Sequence, residues 1–135
     1  MIYAVIDTNV FVSAYITHNN QSATAQIVER LLQGKITPLY NEEIMAEYEE
    51  VLSREHFHIS LSTRQTLFDY IRKNGIAEER MAYYGVFIDE DDRVFYEIAL
   101  SEEDSFLVTG NLKHYPISPK IVTPVQMMQI IESAL

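Results

Sequence analysis

The sequence predicts an α/β sandwich with a mainly parallel sheet. Three observations carry the prediction. Short apolar runs alternate with helical segments along the whole chain. The first of these runs, Ile2 to Ile6, reads IYAVI and is apolar at every position, as a strand covered on both faces must be. Caps and stops, such as Asn41, Gly34 and Thr123-Pro124, fall between the runs and the helices.

Taken in order, the IYAVI strand is ended by Asp7-Thr8-Asn9, and residues 9–16 start a helix. His18 to Ser22 is a polar break. Residues 22–33 carry Ala25, Val28, Leu31 and Leu32 at helical spacing, with Gly34 as the stop. Ile36 to Tyr40 is a second strand. Asn41 caps a helix over 42–53 with Ile44, Tyr48, Val51 and Leu52 on one face. Ser62 or Thr63 caps another helix, running to about Lys73. Met81 to Ile88 shows no clear period and leaves room for a strand. Asp89 to Asp92 opens a helix that runs to about Leu100. Phe106 to Val108 is a third clear strand, followed by the turn Thr109-Gly110-Asn111. Ile121-Val122 is a last short strand, and Thr123-Pro124 starts the final helix.

A chain of 135 residues fits one domain, 1–135, and 47% hydrophobic residues suit a folded globule. There is no cysteine, which excludes a disulfide framework, a thiolate zinc site and a cysteine nucleophile. The apolar start lacks a basic leader and is interrupted by Asp7, so it does not read as a signal peptide. No stretch is long and apolar enough to span a bilayer. The expectation is a cytoplasmic protein with no membrane association. A formal net charge of −10 argues against nucleic-acid binding, because phosphate contacts need Lys and Arg. Bound divalent ions would reverse the local sign, so the placement of the acids matters more than their number.

In parallel α/β sheets, ligands bind beyond the carboxyl ends of the strands. Three polar groups lie there: Asp7, the stretch from Asn41 to Glu47, and Asn111. Asp7 suits a ligand site and equally suits a helix N-cap. The helix at 42–53 holds Glu42, Glu43, Glu47, Glu49 and Glu50. Only Glu47 and Glu49 flank its apolar stripe, on opposite edges, and helical geometry does not choose between them. Asp89 to Asp92 suit a helix N-terminus, but four acids in a row exceed what capping needs, and a cation would relieve their repulsion. Periodicity leaves Asp91 and Asp92 as equal candidates. Thr109-Gly110-Asn111 reads by itself as a turn, and His114 as a surface or backbone-bonded residue before an RNA contact. There is no glycine-rich phosphate loop, no G-x-S-x-G and no H-E-x-x-H. Separated carboxylates suit Mg²⁺ or Mn²⁺, which prefer oxygen ligands.

The ordered set of motifs resembles the PIN-domain family, and within it the toxin components of bacterial toxin–antitoxin pairs. Asp7-Thr8-Asn9 after the first strand is similar to the family's first motif. NEEIMAEYEEVL, Asn41 to Leu52, is similar to its second and places the acid on Glu47. DEDDRVFYEIALSEEDSFLVTGN is similar to the third and fourth together, with Asp92 as the acid before the helix. Many members carry a fourth acid where this chain has Asn111, which offers a neutral oxygen instead.

The resemblance implies a three-layer α/β/α sandwich with a central parallel sheet. It implies Mg²⁺- or Mn²⁺-dependent hydrolysis of RNA phosphodiesters, leaving a 5′-phosphate and a 3′-hydroxyl. Asp7, Glu47 and Asp92 would hold the ion, directly or through water, and Asn111 would assist. Thr8, Asn9 and Thr109 would orient the carboxylates. Arg54, Arg93 and Lys113 would contact RNA. A homodimer and a small antitoxin partner that blocks the cleft are further implications. The rival expectation is a protein-binding module on the same fold with a degraded site, which the acidic surface and Asn111 favour. A nucleophilic Asp7 in phosphotransfer is a third, weakened because position 9 is Asn rather than Asp.

Overall fold

A strand and a pair of helices open the chain in the computed structural model, which describes residues 1–134. They are β1 (Tyr3–Ile6), α1 (Thr8–Ile16) and α2 (Ala23–Leu32). Next come β2 (Thr37–Tyr40), α3 (Glu42–Leu52), α4 (Leu61–Asn74) and β3 (Ile76–Ala77). The chain then forms α5 (Arg93–Leu100), β4 (Ser105–Val108), β5 (Ile121–Val122) and α6 (Pro124–Ser133). The five strands lie in the order β3-β2-β1-β4-β5, and every neighbouring pair is parallel. With helices on both faces this is the three-layer α/β/α sandwich that the sequence predicts.

Burial explains the apolar strands. Ala4, Val5, Ile6, Leu107 and Val108 are at most 1% exposed, so both faces of β1 and β4 are covered. The helices start where their caps lie. Ser22 accepts the Ala25 amide, Asn41 accepts the Ile44 amide, and Thr123 with Gln126 forms a full capping box with Pro124 behind it. Lys120 ties the turn after α5 to the sheet, donating to the carbonyls of Glu102, Glu103 and Ser105. Among the described residues, no helix is long and apolar enough to cross a membrane.

Three local expectations are corrected. Met81 to Ile88 contains no strand; the edge strand β3 comes earlier, at Ile76–Ala77, and pairs with β2. The cap of α4 is Ser60, which accepts the Thr63 amide, because Leu61 already belongs to the helix. On α3 it is Met45, not Val51, that joins Ile44, Tyr48 and Leu52 in the core. The helix is covered on a wider arc than one stripe, since α1, α4 and α5 all contact it.

The strand order fixes where a ligand site belongs. The chain steps outward from β1 to β2 to β3, then returns to β4 on the other side of β1. Strand direction being common, the connections after β1 and β4 leave the same edge of the sheet and diverge there. That divergence leaves a crevice beyond the carboxyl ends of β1 and β4. Asp7 directly follows β1 and Thr109 directly follows β4.

Candidate active site

Asp7 occupies the N-cap position of α1, yet its side chain makes no capping bond. Its carboxylate turns across the crevice instead. Oδ2 accepts from the Thr109 hydroxyl at 2.8 Å, the Tyr115 hydroxyl at 2.9 Å and the Asn9 amide at 3.3 Å. Asn9 also accepts the Gly110 amide, so the ends of β1 and β4 are cross-linked through it. Thr109 is fully buried and takes the Asn111 amide on the same hydroxyl. Asp7 thus holds the N-cap position without a side-chain capping bond, its Oδ2 being taken by Thr109 and Tyr115.

Glu47 is brought in by its neighbour. Tyr48 is buried on α3, its ring packs edge-on against Phe11 of α1 at 5.0 Å, and its hydroxyl donates to the Ile6 carbonyl. That contact docks α3 one residue short of Asp7 and leaves Glu47 facing Thr8, whose hydroxyl donates to Glu47 Oε2. Glu49, the alternative that helical geometry left open, is exposed and lies 4.0 Å from Arg72.

The third acid precedes α5. Asp89 caps a single 3₁₀ turn, Glu90–Asp92, by accepting the Asp91 amide, and α5 begins at Arg93. Asp91 is exposed, whereas Asp92 is half-buried and its Oδ2 lies 3.0 Å from His114 Nδ1. The segment leading into this turn is pinned from below. Glu97, buried on α5, accepts Arg80 at 2.7 Å and the Tyr83 amide at 2.8 Å. Arg93 caps the Tyr83 and Gly85 carbonyls, pairs with Glu90, and lies over the Phe87 ring.

The three acids feel one another. Burial raises the pKa of Asp7 above the usual range, even though Thr109, Tyr115, the Thr8 amide and His114 act to lower it. Burial also raises Glu47, and the charges of Asp7, Asp91 and Asp92 add to the rise. Asp92 is pushed up to about 6, by burial first and the charge of Asp7 second, against the lowering by His114. Glu97 behaves oppositely. Burial alone would raise it, but the Tyr83 amide and Arg80 hold it low. Carboxylates from residues 7, 47 and 92 thus share one electrostatic environment, while the buried acid behind them is satisfied.

A cleft of about 550 Å³ opens over this environment, lined by Glu47, Asp91, Asp92, Arg54 and Arg80 among others. Asp7, 5% exposed, is not among the residues of its wall. Among the described residues, no three Asp, Glu or His side chains stand close enough together to clasp one metal ion. The donor chemistry nevertheless fits a hard divalent cation. Asp7 Oδ1, Glu47 Oε1 and Asp92 Oδ1 receive no side-chain hydrogen bond among the described residues, and all three carboxylates are raised by one another's presence or by burial.

The remaining expected residues are dispersed. Thr8, Asn9 and Thr109 each hold a carboxylate. Asn111 is exposed and lines a separate hollow of about 230 Å³ with Asn9, Ser13, Thr24 and Gly110. Arg54 reaches the cleft wall but is paired with Glu50. Arg93 makes four hydrogen bonds within the protein, and Lys113 is exposed beside His114. Tyr115 and Arg80 were not legible as site residues. Tyr115 is 108 residues from Asp7, and only an aromatic residue following a short turn marks it in the sequence.

A parallel α/β sandwich with a buried acid at its switch point and an acid-lined cleft defines a class of ligand site, not yet a family. Residues 3–113 match the PIN domain, and the chain belongs to the PIN-domain family. No curated protein matches the chain.

Proposed function

We propose that this protein is a Mg²⁺- or Mn²⁺-dependent endoribonuclease, the toxin component of a toxin–antitoxin pair. The observation that supports the nuclease reading is that Asp7, Glu47 and Asp92, from distant segments, are all raised, Asp7 by burial and the other two by burial together with the charge of Asp7. Holding like charges together without a cation is unfavourable, and a divalent ion is the economical reason for doing so. Family membership supports the same chemistry, and the sequence motifs supply the resemblance to toxins.

Asp7, Glu47 and Asp92 would hold the ion, directly or through water. When bound, it supplies positive charge that polarises a phosphodiester and assists in-line attack by water. The chain's own residues prepare the site. Thr109, Tyr115 and Asn9 fix Asp7, Thr8 fixes Glu47, and His114 bonds Asp92. Asn111 offers a neutral oxygen beside the strand end. RNA contacts come from Arg54 and Lys113, with Arg80 on the cleft wall as a further cation. Arg93 serves RNA only indirectly, through the loop it caps. A homodimer and an antitoxin that covers the cleft complete the proposal.

The dispersed donors favour one competing reading, a protein-binding module with a weakened site. Metal titration separates them. Millimolar Mn²⁺ is expected to raise the melting temperature of the wild type, because the ion binds only the folded site. It is also expected to support cleavage of a single-stranded RNA, and Asp7→Asn is expected to lose both responses. No thermal shift and no cleavage would overturn the nuclease reading and favour the binding module.

A further inference from the structure

We propose that Tyr115 is a positioning residue for the metal site: its buried hydroxyl holds Asp7 by Oδ2 and leaves Oδ1 free of side-chain donors. This rests on the nuclease reading above and deepens it. Tyr115 lies beyond the segment that matches the PIN domain, which ends at residue 113. It is 6% exposed, and its hydroxyl donates to Asp7 Oδ2 at 2.9 Å.

All three side-chain donors to Asp7, from Thr109, Tyr115 and Asn9, fall on the same oxygen. A carboxylate held by donors on one oxygen only has its plane and rotamer fixed while the other oxygen stays available. Thr109 and Asn9 approach from the strand ends, at β4 and the first turn of α1. Tyr115 comes from a different element, the residue after the 3₁₀ turn Leu112–His114, and so constrains Asp7 from a third direction. The same turn delivers His114 to Asp92. Consecutive residues 114 and 115 therefore grip two acids that stand 85 residues apart in the chain.

The ring of Tyr115 is itself fixed. It meets Phe87 edge-on at 6.0 Å, and Phe87 in turn contacts Tyr83 and Tyr96. Arg93 lies 4.8 Å from the Phe87 ring centre. The phenol is thus anchored by packing at one end and aimed at Asp7 at the other. Packing alone would be served by phenylalanine, so the hydroxyl is the atom that the proposal concerns.

The test uses Tyr115→Phe, which keeps the ring and removes only the oxygen. Mn²⁺ binding is measured by calorimetry on the full chain, and melting temperature is measured without metal. The expected result is about tenfold weaker Mn²⁺ binding, the scale of one hydrogen bond to a charged group. Thr109→Val removes another donor to the same oxygen and is expected to weaken Mn²⁺ binding likewise. Ile131→Val loosens the packing of α6, away from Tyr115, and leaves every donor to Asp7; it is expected to lower the melting temperature with Mn²⁺ affinity within about twofold of wild type. Unchanged Mn²⁺ affinity in Tyr115→Phe overturns the proposal. So does an equal loss of affinity in Ile131→Val, since stability alone would then explain it. Asp7→Asn separates the two levels: if it loses Mn²⁺ while Tyr115→Phe retains it, only the positioning role falls. If Asp7→Asn binds Mn²⁺ as the wild type does, the metal-site reading falls with it.

Discussion

Replacing Asp92 by asparagine is expected to stabilise the metal-free protein near neutral pH while weakening its metal site. The folded protein raises Asp92 from its ordinary 3.8 to about 6, so it binds that proton more tightly than the unfolded chain does. The stability this contributes is fully present below the unfolded value and is lost as pH rises through about 6. The full difference is worth at most about 3 kcal/mol, at about 1.36 kcal/mol for each tenfold in proton affinity. Asp92 borders an open cleft, and solvent screening reduces the effect to roughly 1–2 kcal/mol. Metal-free wild type should therefore be more stable at about pH 5 than at about pH 7.5, by several degrees of melting temperature. Asp7 and Glu47, also raised, act in the same direction. Glu42, Glu90 and Glu97 are held below 4.5 and lose their protons before this window begins. Asparagine retains an acceptor for His114, so the pH gap should shrink in Asp92→Asn without collapse of the turn. Urea melts in chelator at both pH values decide the matter. A wild-type stability that is flat across the window, or an unchanged gap in Asp92→Asn, would refute the reasoning.

Two further outcomes test the supports behind the site. Glu97→Ala strips Arg80 of a 2.7 Å partner and leaves the Tyr83 amide without its acceptor, so it should cost about 2–3 kcal/mol in urea denaturation; a loss below about 0.5 kcal/mol would show that the loop from Arg80 to Asp89 is held without the Glu97 carboxylate, by Arg93 and aromatic packing. Lys120→Met keeps the apolar stem but abandons the carbonyls of Glu102, Glu103 and Ser105, with an expected cost of about 2 kcal/mol and no change in Mn²⁺ affinity, measured by chemical denaturation and calorimetry.

The cleft also bears on the charge of the chain. A net charge of −10 opposes an RNA substrate, and the cleft wall does little to relieve it: Arg54 is paired with Glu50, and Arg80 with Glu43 and Glu97. Under the proposed function, cations bound at the acids carry the electrostatic attraction that side chains do not.

The alternation of apolar runs and capped helices determined the α/β class, because a strand covered on both faces and a helix with a single apolar side leave different periods in the sequence. IYAVI, Asn41 and Thr123-Pro124 were legible for that reason: each acts within a few residues of itself. The ordered motifs also singled out Asp7, Glu47 and Asp92, but only through resemblance; local geometry left Glu49 and Asp91 open. The tertiary structure decided what depends on distance through space. It exposed Glu49 beside Arg72, set both Asp91 and Asp92 on the cleft, and brought Tyr115 and His114 onto acids far away in the chain. It also drew Arg93 inward and set Asn111 on a separate hollow. Local periodicity records which face of an element is buried, whereas a hydrogen bond between residues 7 and 115 exists only once the parallel sheet has set β1 beside β4.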